Sequence, residues 1–525
     1  MTTFSTRSAT RMLTAFVAIA LIASACSSSG SKVGGSSAMT APTATVGGSL
    51  RPLHAVRGTD ARVLDDQGRQ VLLRGVNLNG FGSYYQANPA YPSTIPVTDV
   101  DWAAMAQQGF DVVRLLISWS SVEPTKGTID QSYLDTIHAA VDAAAAHGLY
   151  AVLDMHQDAW GQSVATPAGA TCPSGSKSGI GWDGAPAWAT ITDGAETCAV
   201  AGIRELAPAV EHAFENFYAN TDGVQDELVK TWAAVATEFA GVPAVAGYDL
   251  FNEPNWGLDS HTGGARLGAF TQKATAAIRT AEQAVSGSTS HIVFFEPVVI
   301  YPNDGTTLPA DTVSDPNMVF APHNYAESID PGTIEQKFAT VAATAQTYGT
   351  TFWIGEYGWF DATADNAAKA GRYGAAEDQY RVGGTWWQWK QACGDPHSVG
   401  HAGGTPADQI IQYTRNGCPG DVDHGVIAEW KPAMTRAYPR SAPGLLTSLS
   451  SNPTTGALVV SGTIGAAGGS PDPAASLDLW IPDRGHGPPT ITGSGLGAID
   501  LQTVPGGFRV LIPVTGDYTA TLAAS

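Results

Sequence analysis

From residue 71 to about residue 389, short apolar or β-branched runs alternate with Ala-rich stretches of helical spacing. The runs predict strands at 71–77, 112–117, 150–153, 245–251, 292–295, 318–320, 352–354 and 384–389. Helical spacing covers 100–108, 132–147, about 209–217, 225–239, 267–284 and 334–348. Gly109 and Gly148 close the first two helices, the usual place for a helix stop. Most strand runs are continuous rather than alternating, which implies a sheet buried on both faces. With a helix after most of them, a closed (β/α)8 TIM barrel is the economical α/β arrangement. An open doubly wound sheet is the alternative. It is disfavoured because no Gly-rich phosphate turn follows the first strand. A long insertion rich in Gly, Pro and Trp, from 156 to about 202, follows the third strand.

After about residue 440 the pattern changes. Runs at 457–462, 476–480 and 508–512 are separated by Gly and Pro turns, with no helical spacing. This predicts a C-terminal all-β sandwich over 441–525, next to a catalytic unit over 49–440. Packing against the barrel is its expected role; a sugar- or lipid-binding module is the alternative. At the other end, Arg7 and Arg11 precede a short apolar stretch, 12–23, too short to span a bilayer comfortably. Ala23-Ser24-Ala25-Cys26 follows. Residues 1–26 therefore read as an export signal. They resemble a bacterial lipoprotein signal, which implies lipidation of Cys26 and a cell-surface or secreted protein; ordinary cleavage after the small residues is the alternative. Ala23 stands where that pattern usually has leucine. Residues 27–48, mostly Ser, Gly, Ala and Thr, read as a flexible tether.

Charged residues make up 14% of the chain beside 59 glycines and 32 prolines, as in a loop-rich globular protein. The net charge of -21 argues against a nucleic-acid partner. With Cys26 set aside, Cys172, Cys198, Cys393 and Cys418 make an even number, suited to an oxidising compartment. Three pairings are open. The local pairs, Cys172 with Cys198 and Cys393 with Cys418, are the simplest, each contributing about 3 kcal/mol by closing a loop. A zinc site is the competing reading, unsupported by any CxxC or HxxxH spacing.

In a barrel the site is made by loops at the strands' C-terminal ends, and polar residues gather there. Arg114 lies on the second strand. His156, Gln157 and Asp158 follow the third, Asn252 and Glu253 the fourth, and His323, Asn324 and Tyr325 the sixth. Glu356 follows the seventh, and Trp389 ends the eighth. Two glutamates at facing strand ends are the minimum equipment for breaking a glycosidic bond. Other residues read as structural: Glu296 as a surface carboxylate, His147 as a helix end, Trp386 and Trp387 as core.

The strings Leu153-Asp154-Met155-His156-Gln157-Asp158, Gly181-Trp182-Asp183-Gly184-Ala185-Pro186, Leu250-Phe251-Asn252-Glu253-Pro254 and Trp353-Ile354-Gly355-Glu356-Tyr357-Gly358 are similar to glycoside hydrolase family 5, and more narrowly to its endoglycoceramidase branch. The resemblance spans roughly 72–438. It implies a retaining endo-glycosidase that cleaves between the glycan and ceramide of glycosphingolipids at a membrane or micelle surface, with no metal or organic cofactor. It assigns Glu253 as acid/base and Glu356 as nucleophile, with Asn252 as donor to the sugar 2-hydroxyl. Arg114 and Tyr325 would keep Glu356 ionised. His156, Asp158 and His323 would grip hydroxyls or brace the glutamates, and Trp389 would stack under the sugar ring. The neighbouring carboxylate is expected to raise the pKa of Glu253. Phe81, Tyr84, Tyr85, Tyr91, Trp160, Trp182 and Trp188 either form an apolar rim for lipid tails or pack the loops on themselves. Two other functions stand beside this one: an endo-β-glucanase-like hydrolase of polysaccharide, and a surface lipoprotein that binds glycan without turnover.

Overall fold

The structure, a computed structural model, describes residues 50–86, 90–398, 412–418, 420–465, 471–472 and 474–524. The expected export signal, tether and Cys26 lie outside these residues. Eight parallel strands form the central sheet: β1 (Gly75–Leu78), β2 (Val112–Ser118), β3 (Tyr150–His156), β4 (Val245–Asp249), β5 (Ile292–Phe295), β6 (Met318–Phe320), β7 (Ile354–Tyr357) and β8 (Gly384–Trp386). Their order in the sheet follows the chain, with β8 returning to β1. A parallel bridge from Phe320 to Phe352, with Trp353 N–H donating to the Phe320 carbonyl at 2.9 Å, joins β6 to the start of β7 and closes the ring. Every residue of these strands is buried, which is why the runs read as continuous rather than alternating.

Helices α1 (Asp99–Gln107), α2 (Gln131–Ala146), α3 (Pro208–Tyr218), α4 (Val224–Phe239), α5 (Gly263–Ala284), α6 (Ile334–Tyr348) and α7 (Ala364–Tyr380) wrap the barrel. Their ends follow local chemistry. Asp130 caps α2 by accepting from Ser132 and Tyr133, and Thr333 with Gln336 makes a capping box on α6, which stops at left-handed Gly349. Among the described residues no helix is long and apolar enough to cross a membrane.

The first predicted strand, 71–77, is two. Arg69–Val71 belongs to an antiparallel ribbon with Leu53–Val56 and Arg62–Asp65, and β1 starts only at Gly75. The break is anchored at Arg74, whose backbone donates to Asp111 and whose guanidinium meets Asp378. The ribbon pairs through Arg69–Val71 with Tyr438–Pro443, which pairs with Ser476–Pro482, and that with Gly507–Leu522. The last strand continues into a second layer with Leu458–Thr463 and Ile491–Leu496. The all-β domain is thus antiparallel, as expected, and its sheet also takes in the chain's first strands. Both local disulfides form, Cys172–Cys198 and Cys393–Cys418, which overturns the zinc alternative for these cysteines.

Candidate active site

Arg114 projects from β2 into the barrel with no exposure. Register sets it opposite Asn77 on β1 and Val152 on β3. Its guanidinium donates to Asp249 (2.9 Å), Glu356 (2.7 Å), Glu296 (3.0 Å), Asn252 (3.0 Å) and Asn77 (3.2 Å), and Asp154 lies 3.0 Å away. One cation therefore faces four carboxylates away from water, which cannot all be ionised cheaply. Burial pushes the Asp249 carboxyl up to about 8 against the pull of Arg114, with the charges of Glu296 and Asp154 adding to the rise.

Glu356, on β7, accepts from Arg114 on one oxygen and from the Tyr325 hydroxyl on the other, at 2.8 Å. Burial, then the Glu356 charge, holds the Tyr325 hydroxyl well above its ordinary range, so it stays a donor. Gly355 precedes Glu356 because a Cβ there would meet the His323 ring at 3.0 Å.

Glu253 follows β4 with φ +38°, a left-handed backbone that costs a non-glycine residue on the order of 1 kcal/mol. Two contacts hold it: its N–H donates to Glu296 (2.8 Å) and its carbonyl accepts from Gln157 (2.9 Å). One carboxylate oxygen bonds His323 Nδ1 at 2.8 Å; the other lies 3.2 Å from Arg204. An oxygen of Glu253, an oxygen of Glu356 and a nitrogen of His323 lie within 4.8 Å of one another. Burial pulls His323 down, but the Glu296 and Glu356 charges and the bond to Glu253 hold it well above an ordinary histidine. The ring lies among three glutamates, Glu253, Glu296 and Glu356. This reverses the expectation for Glu253. Burial does push its carboxyl up, but the His323 hydrogen bond and the charges of His323 and Arg204 outweigh it and hold it below its usual value.

His156 bonds Asp154 (2.8 Å), lies 3.4 Å from Asp158, and stacks on Trp387 with centroids 5.4 Å apart. Asp158 meets Arg204 (2.7 Å) and His397 (3.0 Å). Burial opposes the charge of Asp158, yet Arg204 and His397 hold it well below the usual carboxylate range. Asn252 gives its oxygen to Arg114 and one N–H to the Gln157 carbonyl.

Arg114, His156, Asp158, Asn252, Glu253, His323, Tyr325 and Glu356 are thus brought together. Trp389 is not. It is 1% exposed, stacks on Tyr413 at 5.6 Å, and donates to Asp101 at 3.1 Å. The strand ends at Trp386, and past it the chain turns Trp387 to His156 and His397 instead; Trp386 is core, against Trp430. One more correction follows: Glu296 is a buried anchor rather than a surface group, while Trp387 is buried in the core as expected and also borders the site. Of the aromatic rim, Trp160 packs against Phe214 and Trp188 against Trp119, fixing loops, whereas Tyr84 and Trp182 border His397. Glu296 had a signal in sequence, its place at a strand end. Arg204 had none, because the insertion brings it in.

Among the described residues, metal-ligand geometry is present in three places. Arg114 takes the position of a cation among Asp154, Asp249 and Glu296; His323 itself lies between Glu253 and Glu356; Cys393 and Cys418, grouped with Asp421, are bonded to each other.

Comparison with known proteins agrees with this geometry. The family model for cellulase (glycosyl hydrolase family 5) matches residues 64–393. Endoglycoceramidase I of Rhodococcus hoagii (strain 103S) is 30% identical over 291 residues, 52% of this chain and 53% of the relative. The chain spans about half the length of the curated relatives it matches. A crystal structure of endogalactoceramidase is 40% identical with a TM-score of 0.81, covering 90% of this chain and 100% of that one. Endo-glycoceramidase II from Rhodococcus sp., in its ganglioside GM3 complex, is 25% identical with a TM-score of 0.69, covering 89% and 100%.

Proposed function

The chain belongs to glycosyl hydrolase family 5, and from this we propose that it hydrolyses the β-glycosidic bond between the glycan and ceramide of glycosphingolipids, with retention. The observation that carries the reading is the approach of Glu253 and Glu356 to within 4.8 Å about His323. Retaining glycosidases hold their carboxyls about 5–5.5 Å apart, whereas inverting ones leave about 6.5–9.5 Å for a water.

In the first half-reaction Glu356 attacks the anomeric carbon, supported by the donors Arg114 and Tyr325. Glu253 gives its proton to the departing ceramide oxygen as that bond breaks. His323 supplies the proton to Glu253 once sugar covers the site. In the second half-reaction Glu253 takes a proton from water, whose oxygen displaces Glu356 from the sugar. The remaining N–H of Asn252 serves the 2-hydroxyl, His156 and Asp158 serve hydroxyls further round the ring, and Trp387 forms the floor. The likeness to endogalactoceramidase supports galactosylceramide as the preferred substrate.

The test is a panel of galactosylceramide, glucosylceramide, a ganglioside and a soluble cello-oligosaccharide. Release of intact ceramide supports the proposal. Cleavage of the oligosaccharide alone would support the polysaccharide reading that the cellulase model favours, and no product would support glycan binding without turnover. Lipid anchoring through Cys26 is a further part of the proposal, tested by the mass of the mature N-terminal peptide.

A further inference from the structure

Arg204 comes from the insertion between β3 and α3. Its guanidinium lies over Trp182, 4.4 Å from the ring centroid, and its Nε bonds Glu205. Its Nη2 sits 2.7 Å from Asp158 and 3.2 Å from Glu253 Oε2. His323 holds the other oxygen of Glu253. The carboxylate is thus held on both oxygens, by a barrel residue and by an insertion residue. The side chain is 25% exposed, so much of its charge is felt in a poorly solvated site.

We propose that Arg204 is a positioning residue for Glu253: it orients the carboxylate and sets the pH above which the protein can no longer protonate a leaving group. The proposal rests on Glu253 being the acid/base. As the anomeric C–O bond breaks and the bond to Glu356 forms, a proton passes from Glu253 to the leaving oxygen, and the new anion faces Arg204. When water then displaces Glu356, its proton returns to Glu253 against that same charge. Arg204 therefore strengthens the acid and weakens the base.

Glu253 is faced by His323 from the β6 loop, Arg204 and Glu205 from the insertion, Asp158 from the end of β3, Glu296 from β5, and Glu356 and Tyr325 across the cleft. The Arg204 charge is fixed across the working pH range, so removing it favours proton binding by every carboxylate in the group.

The test compares the full chain with Arg204→Gln and Arg204→Lys on two aryl β-glycosides, one with a poor leaving group that needs the acid and one with a dinitrophenyl group that does not. For Arg204→Gln the alkaline limb of kcat/KM on the poor leaving group moves up by about one pH unit. The rate on the dinitrophenyl substrate at its optimum stays within about threefold where glycosylation is measured. Arg204→Lys keeps the wild-type limb. An unmoved limb in Arg204→Gln, or the same shift in both variants, overturns the proposal. Should Arg204→Gln fail to fold, a shifted limb in Arg204→Lys alone also overturns it. Ceramide release plays no part in this readout, so failure of the glycosphingolipid reading would show separately, in the lipid panel.

Discussion

Glu296 ties the two glutamates of the site together. It accepts from the strained Glu253 backbone, from Arg114, which in turn holds Glu356, and lies 3.2 Å from His323. Glu296→Gln should lower kcat about 10- to 100-fold with KM little changed, because misplacement rather than lost binding is the defect. Steady-state kinetics decides it, and an unchanged kcat would remove Glu296 from this role. His397 offers a second test. Burial pulls it down, but Asp395 and Asp158 raise it to about 9, against about 6.5 in an unfolded chain. A raised histidine contributes its full stabilisation below about pH 6.5 and loses it as pH climbs to about 9, on the order of 3 kcal/mol. Melting temperature should fall over that window, and His397→Gln should flatten the fall. Parallel curves for the two proteins would contradict the assignment.

The barrel strands were legible because burial on both faces leaves a continuous apolar signature, and the two glutamates because each closes such a run. The bounds that slipped did so for local reasons. β3 extends through Asp154 to His156 because the polar layer around Arg114 is inside the barrel, so polar residues end the run in sequence before the strand ends in space. Helix α7 went unread because its Ala, Asp, Asn and Lys residues give a weak apolar stripe. Trp389 was misplaced because the chain past β8 does not continue as a strand. The insertion after β3 was legible only as a loop, yet it delivers Trp182, Asp183 and Arg204. Its staple is Cys172–Cys198, closing a separation of 26 residues. Replacing both cysteines by serine should cost about 3 kcal/mol in the chain-entropy view. It should also lower kcat more than the removal of Cys393 and Cys418 does. Equal kinetic effects from the two pairs would argue that the insertion does not carry site residues.

The all-β domain and the barrel share a core boundary rather than a linker. Trp480 fills the space beneath α1, where a Cβ on Gly109 would lie 2.2 Å from its ring, and its Nε1 donates to the Thr435 carbonyl at 3.2 Å. Tyr438 donates to the Gly109 carbonyl, and the chain's first ribbon completes the domain's sheet. Trp480→Ala should therefore destabilise the whole molecule by about 3–5 kcal/mol, and calorimetry with fluorescence should show one shared unfolding transition. Two separate transitions, with the barrel's unmoved, would show an independent appendage.

All of this depends on Glu356 bonding covalently to the sugar while Glu253 handles protons. The direct measurement is mass spectrometry of the protein after incubation with a 2-deoxy-2-fluoro glycoside that slows the second half-reaction. The account predicts a gain of one glycosyl unit, mapped to the peptide holding Glu356 and absent in Glu356→Gln. A label on Glu253, or turnover with no covalent adduct and inverted product, would contradict it.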